Sequence, residues 1–103
     1  MNIAKMMKQA QKMQAEAQRI QKELAEKSFD AEAGGGAVKA VASGDGELKS
    51  ITISREVITD ATDDPELLED LVLTAVRDAI NKGKEAAAAE MGSLTSGLGL
   101  PGM

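Results

Sequence analysis

Residues 1–24 read MNIAKMMKQAQKMQAEAQRIQKEL, and two stripes run along this stretch. Ile3, Met6, Ala10, Met13, Ala17, Ile20 and Leu24 recur three and four apart, an unbroken heptad seam. Turning each residue by about 100° brings Lys5, Lys8, Lys12, Arg19 and Lys22 near the opposite side. Helix-favouring Ala, Gln, Lys, Met and Glu fill the segment without Gly or Pro, which predicts one helix over about 2–27. At 1.5 Å per residue it is roughly 35–40 Å long, more than a small body can cover. One face wants another helix, and the other offers a row of cations.

Beyond this helix the period changes from helical to alternating. In 28–33, Phe29, Ala31 and Ala33 fall on one side, and Ser28, Asp30 and Glu32 on the other. Gly34, Gly35 and Gly36 supply a turn into a second strand around Val38 and Val41. SGDG at 43–46 is a hairpin signal, with Asp45 and Gly46 as candidates for positive φ. ELKSITIS follows as a third strand with Ile51 and Ile53 on one face. Residues 55–64 form a connecting segment with a helical turn at Val57–Ile58. Asp64 and Pro65 then read as N-cap and first helical position, with Glu66, Glu69 and Asp70 near the positive end of the dipole. Leu67, Leu68, Leu71, Val72, Ala75, Val76, Ala79 and Ile80 form a face suited to covering a sheet. That helix is expected to reach Met91, and the Gly-rich tail at 92–103 is expected to be mobile. The result is an α+β domain at 1–91, ordered α-β-β-β-α around a three-stranded antiparallel meander.

Composition narrows the function. The net charge of −5 conceals a segregation: 1–27 hold six cations against three carboxylates, and the rest hold six against fourteen. Cys and His are absent, which removes thiolate nucleophiles, Cys/His zinc sites and the commonest general base. No carboxylate pair is framed for catalysis, so no enzyme and no cofactor is expected. Asp60, Asp63, Asp64, Glu66, Glu69 and Asp70 lack the Gly and final Glu of a calcium loop, and capping explains them without a metal. GGGAVK lacks a phosphate-loop pattern and separates strands. Lys5 and Lys8 break any signal-type apolar run, and no stretch approaches the ~20 apolar residues of a membrane span. A soluble intracellular protein is expected.

Two functional clues remain. With Phe29 as the only aromatic, a monomer has little bulky core, and association is the usual remedy. For so long a helix the seam is read as an interface in preference to core. A basic face is most often merely solvated, yet only Glu16 interrupts this one within the first 22 residues. Single-stranded nucleic acids are usually held by aromatic stacking, whereas a duplex read through its phosphates needs no aromatic. Duplex DNA is therefore the leading nucleic-acid candidate.

With these segments in order, the chain resembles, nearly end to end, the YbaB/EbfC family of bacterial nucleoid-associated DNA-binding proteins. The likeness is carried by MKQAQKMQ at 7–14, the GxAVKA strand at 35–40, PELLEDLVLTAVRDAINK at 65–82 and the closing MGSLTSGLGLPGM. The resemblance implies a tweezer-like homodimer with sheets at its centre and helices projecting to hold double-stranded DNA. It implies a non-catalytic role in DNA organisation or gene regulation, in the cytoplasm at the nucleoid. Positive residues on both long helices are the implied contacts: Lys5, Lys8, Lys12, Arg19 and Lys22 on the first, and Arg77, Lys82 and Lys84 on the second. Glu69, Asp70, Asp78, Glu85 and Glu90 share the second helix and depart from a uniformly basic surface. Arg19 is the one candidate for bidentate guanine recognition. The alternatives are a dimeric adaptor whose helices bind another protein, and an amphipathic membrane-surface helix, which lacks Trp or Phe on its apolar face.

Overall fold

The computed structural model describes residues 2–97, in a molecule of 70 × 24 × 16 Å. Helix α1 spans Ile3–Glu26. Asn2 caps it, its Oδ1 accepting from the Lys5 amide at 3.1 Å. Lys27 alone separates α1 from strand β1 (Ser28–Ala33). Strands β2 (Val38–Ser43) and β3 (Leu48–Ile53) complete an antiparallel sheet in the order β1-β2-β3. The β1–β2 turn places Gly34, Gly35 and Gly36 at φ 65°, 68° and 93°, a run that side-chain-bearing residues resist.

Alternation along the strands puts Ala31, Ala33, Val38, Ala40 and Ala42 on one buried face. The other face is polar, with Glu32 and Lys39 paired across strands at 3.8 Å. In the β2–β3 hairpin Gly46 alone takes a positive φ; Asp45 instead accepts a hydrogen bond from the Ser43 hydroxyl. A bulge follows. The register runs Val38 to Ile53 and Ala40 to Ile51, then slips so that Ala42 faces Leu48. Cross-strand partners share a face, so the slip at Lys49 puts Leu48 beside Ile51 and Ile53, which strict alternation along the sequence does not anticipate.

The connection at 55–64 is more ordered than a single turn. Helix α2 (Arg55–Asp60) starts at Ser54, whose Oγ accepts from the Val57 amide, and Val57 is buried. The element order is therefore α-β-β-β-α-α. Helix α3 spans Pro65–Gly97, with Asp64 Oδ1 accepting from the Leu67 amide at 3.4 Å. It continues six residues past Met91, and the remainder of the expected tail, 98–103, lies outside the described residues. Ala75 and Ala79, both 0% exposed, seat α3 on β1 and β2. Leu67 does not join them: one turn into the helix it is rotated away from the sheet and is exposed.

Past the sheet α3 supports α1. Ile20 and Leu24 are buried and Met13 and Ala17 half-buried, matched along α3 by half-buried Ala86, Ala87, Met91 and Leu94. The C-terminal half of the heptad seam is thus packed within the chain, where the sequence favours an interface. Residues 2–12 are all exposed, with Ile3 at 69% and Met6 at 54%. Helix α1 is an arm held at its base.

The alanine seat yields a test. Ala79→Leu forces extra carbons between α3 and the sheet and should cost about 1–3 kcal/mol. For a domain this size that lowers the melting temperature by about 4–8 °C per kcal/mol, measurable by circular dichroism. An unchanged melting temperature would show that α3 does not sit on the sheet through Ala79.

Candidate nucleic-acid interface

Three of the lysines of α1, Lys5, Lys8 and Lys12, lie on its unpacked half. Lys5, Lys8 and Lys12 follow at i, i+3 and i+7, and with Gln9 they line a shallow open trough. Lysine side chains offer such a surface both apolar methylene stems and a terminal ammonium group. Gln9 carries no charge to mark it in the sequence, and its place four residues after Lys5 is the one available signal. None of Lys5, Lys8, Lys12 or Lys22 forms an ion pair among the described residues.

Lys5 stands in the first turn of α1, the helix end least hospitable to a cation. The first turn of α1 contains no carboxylate, and the N-terminus of a helix carries about half a positive charge from its aligned peptide dipoles. Lys5 adds to that potential, where an acid would ordinarily offset it. The arrangement raises the energy of the free helix tip slightly and makes it a good seat for anions.

Arg19 behaves differently. Its Nη2 donates to Glu16 Oε2 at 2.8 Å and its Nη1 to Glu23 Oε1 at 2.7 Å. Hydrogen bonding to Glu16 first, then to Glu23, raises the guanidinium further above its already high value. The hydrogen bond and charge of Arg19 in turn hold the Glu16 carboxyl below its ordinary 4.5, with a smaller pull from Lys12. Both fork directions of Arg19 are committed to its own helix, so the expectation of bidentate guanine recognition meets a competitor at each nitrogen.

The second group is dispersed. Lys82 Nζ donates to the Asp30 carbonyl at 2.7 Å and ties α3 to the edge strand β1. Arg77 Nε lies 3.7 Å from Asp78 Oδ1. Lys84 is exposed, next to Gly83 on α3. The structure thus brings Lys5, Lys8 and Lys12 together, leaves Lys22 nearer the base of the arm, and separates Arg77, Lys82 and Lys84 from that row. Among the described residues no group of three or more His, Cys, Asp or Glu is arranged to hold a metal, and no helix is long and apolar enough to cross a membrane.

A sequence model of the YbaB/EbfC DNA-binding family matches residues 1–98. The chain belongs to that family. A nucleoid-associated protein of Acetivibrio thermocellus is 50% identical over 103 residues, covering 99% of this chain and 89% of its own. One from Thermoanaerobacter pseudethanolicus is 51% identical over 102 residues, covering 99% and 90%. The fold is shared with a crystal structure of a Helicobacter pylori protein: TM-score 0.70, 19% identity, 95% of this chain and 97% of that one. The YbaB/EbfC family is one of DNA-binding proteins and not of enzymes.

The Arg19 pairing makes a titration prediction. Glu16 should titrate below the ordinary glutamate value in NMR of its carboxyl carbon, and Arg19→Gln should move it back up. Because the folded value is depressed, the support the pair gives α1 is complete above the ordinary carboxylate range. It is lost as pH falls through the depressed value. Identical titrations in both proteins would mean the pair does not form in solution.

Proposed function

We propose that residues 1–91 bind double-stranded DNA as a homodimer, without catalysis, and serve DNA organisation or gene regulation at the bacterial nucleoid in the cytoplasm. The observation that carries the reading is the trough of Lys5, Lys8, Gln9 and Lys12, whose lysines form no ion pair among the described residues, on the half of α1 that packs against no other element. Lys5 and Lys12 stand about 10 Å apart along the helix axis, close to the ~12 Å width of a major groove. Ammonium groups on flexible stems meet phosphates as point charges and release counterions, which favours affinity tolerant of sequence. The lone aromatic, Phe29, is half-buried in the sheet, which favours a duplex over stacked single strands. Lys22 extends the row toward the body. Arg19, Arg77, Lys82 and Lys84 are assigned lesser parts because other groups of the chain engage the first three and Lys84 stands apart from the row. The names of the relatives, nucleoid-associated proteins, support the location.

The dimer is supported by apolar surface that α3 leaves open. Ile51 is 41% exposed and Leu73 62%, and Leu48, Ile58 and Leu67 are exposed as well. A mostly apolar groove on α3 is lined by Leu68, Glu69, Val72, Leu73 and Val76. A second copy is the economical cover, since the same patch can meet itself about a two-fold axis.

Replacing Lys5, Lys8 and Lys12 together by Gln should weaken duplex binding in gel shifts. The dependence of log affinity on log salt should flatten by roughly 0.9 for every phosphate that is no longer neutralised. Equivalent changes at Arg77, Lys82 and Lys84 should do less. Unchanged affinity and slope in the folded triple variant would reject this site and favour the adaptor, with exposed Ile3, Met6 and Met7 as its contact surface.

Light scattering should return twice 10.7 kDa for the unaltered chain. Leu73→Glu, which buries a charge in the proposed contact, should shift the mass toward the single chain. A stable monomer of the unaltered chain at micromolar concentration would reject the dimer.

A further inference from the structure

Three elements converge where the arm leaves the body. The last turn of α1 brings Leu24, 1% exposed, whose carbonyl accepts from the Gly44 amide at 2.8 Å. The β2–β3 hairpin brings Ser43 and Gly44, and α3 passes against them at Gly83. Ser43 is 1% exposed, and its amide donates to the Glu47 carbonyl at 2.8 Å, so the hairpin is itself firmly closed.

Neither glycine has room for a side chain. A Cβ on Gly44 would stand 2.7 Å from Leu24 Cβ and 2.8 Å from the Leu24 carbonyl oxygen. A Cβ on Gly83 would stand 2.5 Å from the Ser43 carbonyl oxygen. Beside the movable Leu24 Cδ2, the obstructing atoms are backbone or the first carbon of a side chain, so rotamer changes cannot make space. A whole element would have to move. This also accounts for a glycine in the middle of a long helix, where its intrinsic propensity is poor.

We infer that Gly44 and Gly83 are positioning residues for DNA binding, fixing the angle at which α1 leaves the sheet and so the place of Lys5, Lys8 and Lys12. The inference rests on those lysines being the phosphate contacts. Leverage makes the angle consequential. Lys8 lies about 24 Å along α1 from Leu24, at 1.5 Å per residue. A tilt of about 10° at the joint therefore moves it by about 4 Å, a third of a major-groove width. A lysine row displaced that far meets a groove where it met phosphates.

The chain has no cysteine, so spin labels can be placed at Gln11→Cys on the arm and Thr52→Cys on β3, with unlabelled chain added to suppress contacts between copies. Gly44→Ala and Gly83→Ala should each shift or broaden the measured arm-to-sheet distance. Each should also weaken duplex DNA binding tenfold or more, at a temperature where circular dichroism shows the variant folded. Gly92→Ala is the control, since a Cβ there meets nothing within 4 Å, and both readouts should stay put. Should Gly83→Ala fail to fold, Gly44→Ala carries the same two measurements. Leu24→Ala adds a third route by loosening the joint without crowding it. An unmoved arm, or a moved arm with unchanged affinity, overturns the inference. The triple lysine variant tells the two failures apart. If it still binds DNA normally, the lysine reading falls and the inference with it; if it loses binding while the glycine variants move the arm and bind normally, positioning alone is wrong.

Discussion

Ala75 and Ala79 lie fully buried on a floor of Ala31, Ala33, Ala40 and Ala42, and the rest of the molecule follows from that close approach. Methyl groups on both sides let α3 settle low on β1 and β2, but small side chains bury little area each. A sheet of three strands is also wider than one helix. With α3 over β1 and β2, β3 is left at the margin and Leu48 and Ile51 stay in contact with solvent. The same helix is long enough to run past the sheet, and its second half is the rail along which α1 is held. One helix therefore supports two structures, a body and an arm.

Much of this plan is legible in the sequence because its signals are local. The cap at Asp64, the glycine turn at 34–36 and the alternation in 28–33 each depend on a few adjacent residues. What the sequence hides depends on contacts between distant segments. The bulge at Lys49 leaves no mark in a strand whose composition reads smoothly, yet it changes the face of Leu48. The fate of the heptad seam is ambiguous for the same reason, since a seam advertises a partner without saying whether the partner is in the same chain. Gly44 and Gly83 read as an ordinary turn glycine and an unfavourable helix residue; their meaning lies in atoms that the chain brings together from far apart, Leu24 for the first and Ser43 for the second.

The candidate site divides in the same manner. Lys5, Lys8 and Lys12 can be grouped by angle alone, because one helix carries all three. The competition for Arg19 is also visible in principle, with Glu16 and Glu23 at the i−3 and i+4 spacings that favour ion pairs. Weighing charge by face without checking such pairs overstates the cationic row at its inner end. Lys82 shows the converse, a cation whose nearest duty is to a carbonyl of the neighbouring strand.

The kink at Lys49 has a bearing on what happens when many copies crowd together. A straight, apolar outer strand is a template onto which another chain can add its own strand, and then another, without limit. Here the edge strand β3 slips out of register near its start and carries an ammonium group at the irregularity, hydrogen-bonded to Ser28 Oγ at 3.5 Å. Ladder growth along that edge is interrupted. A strand added along β3 would have to follow that slip, which makes this edge a poor template for a regular ladder.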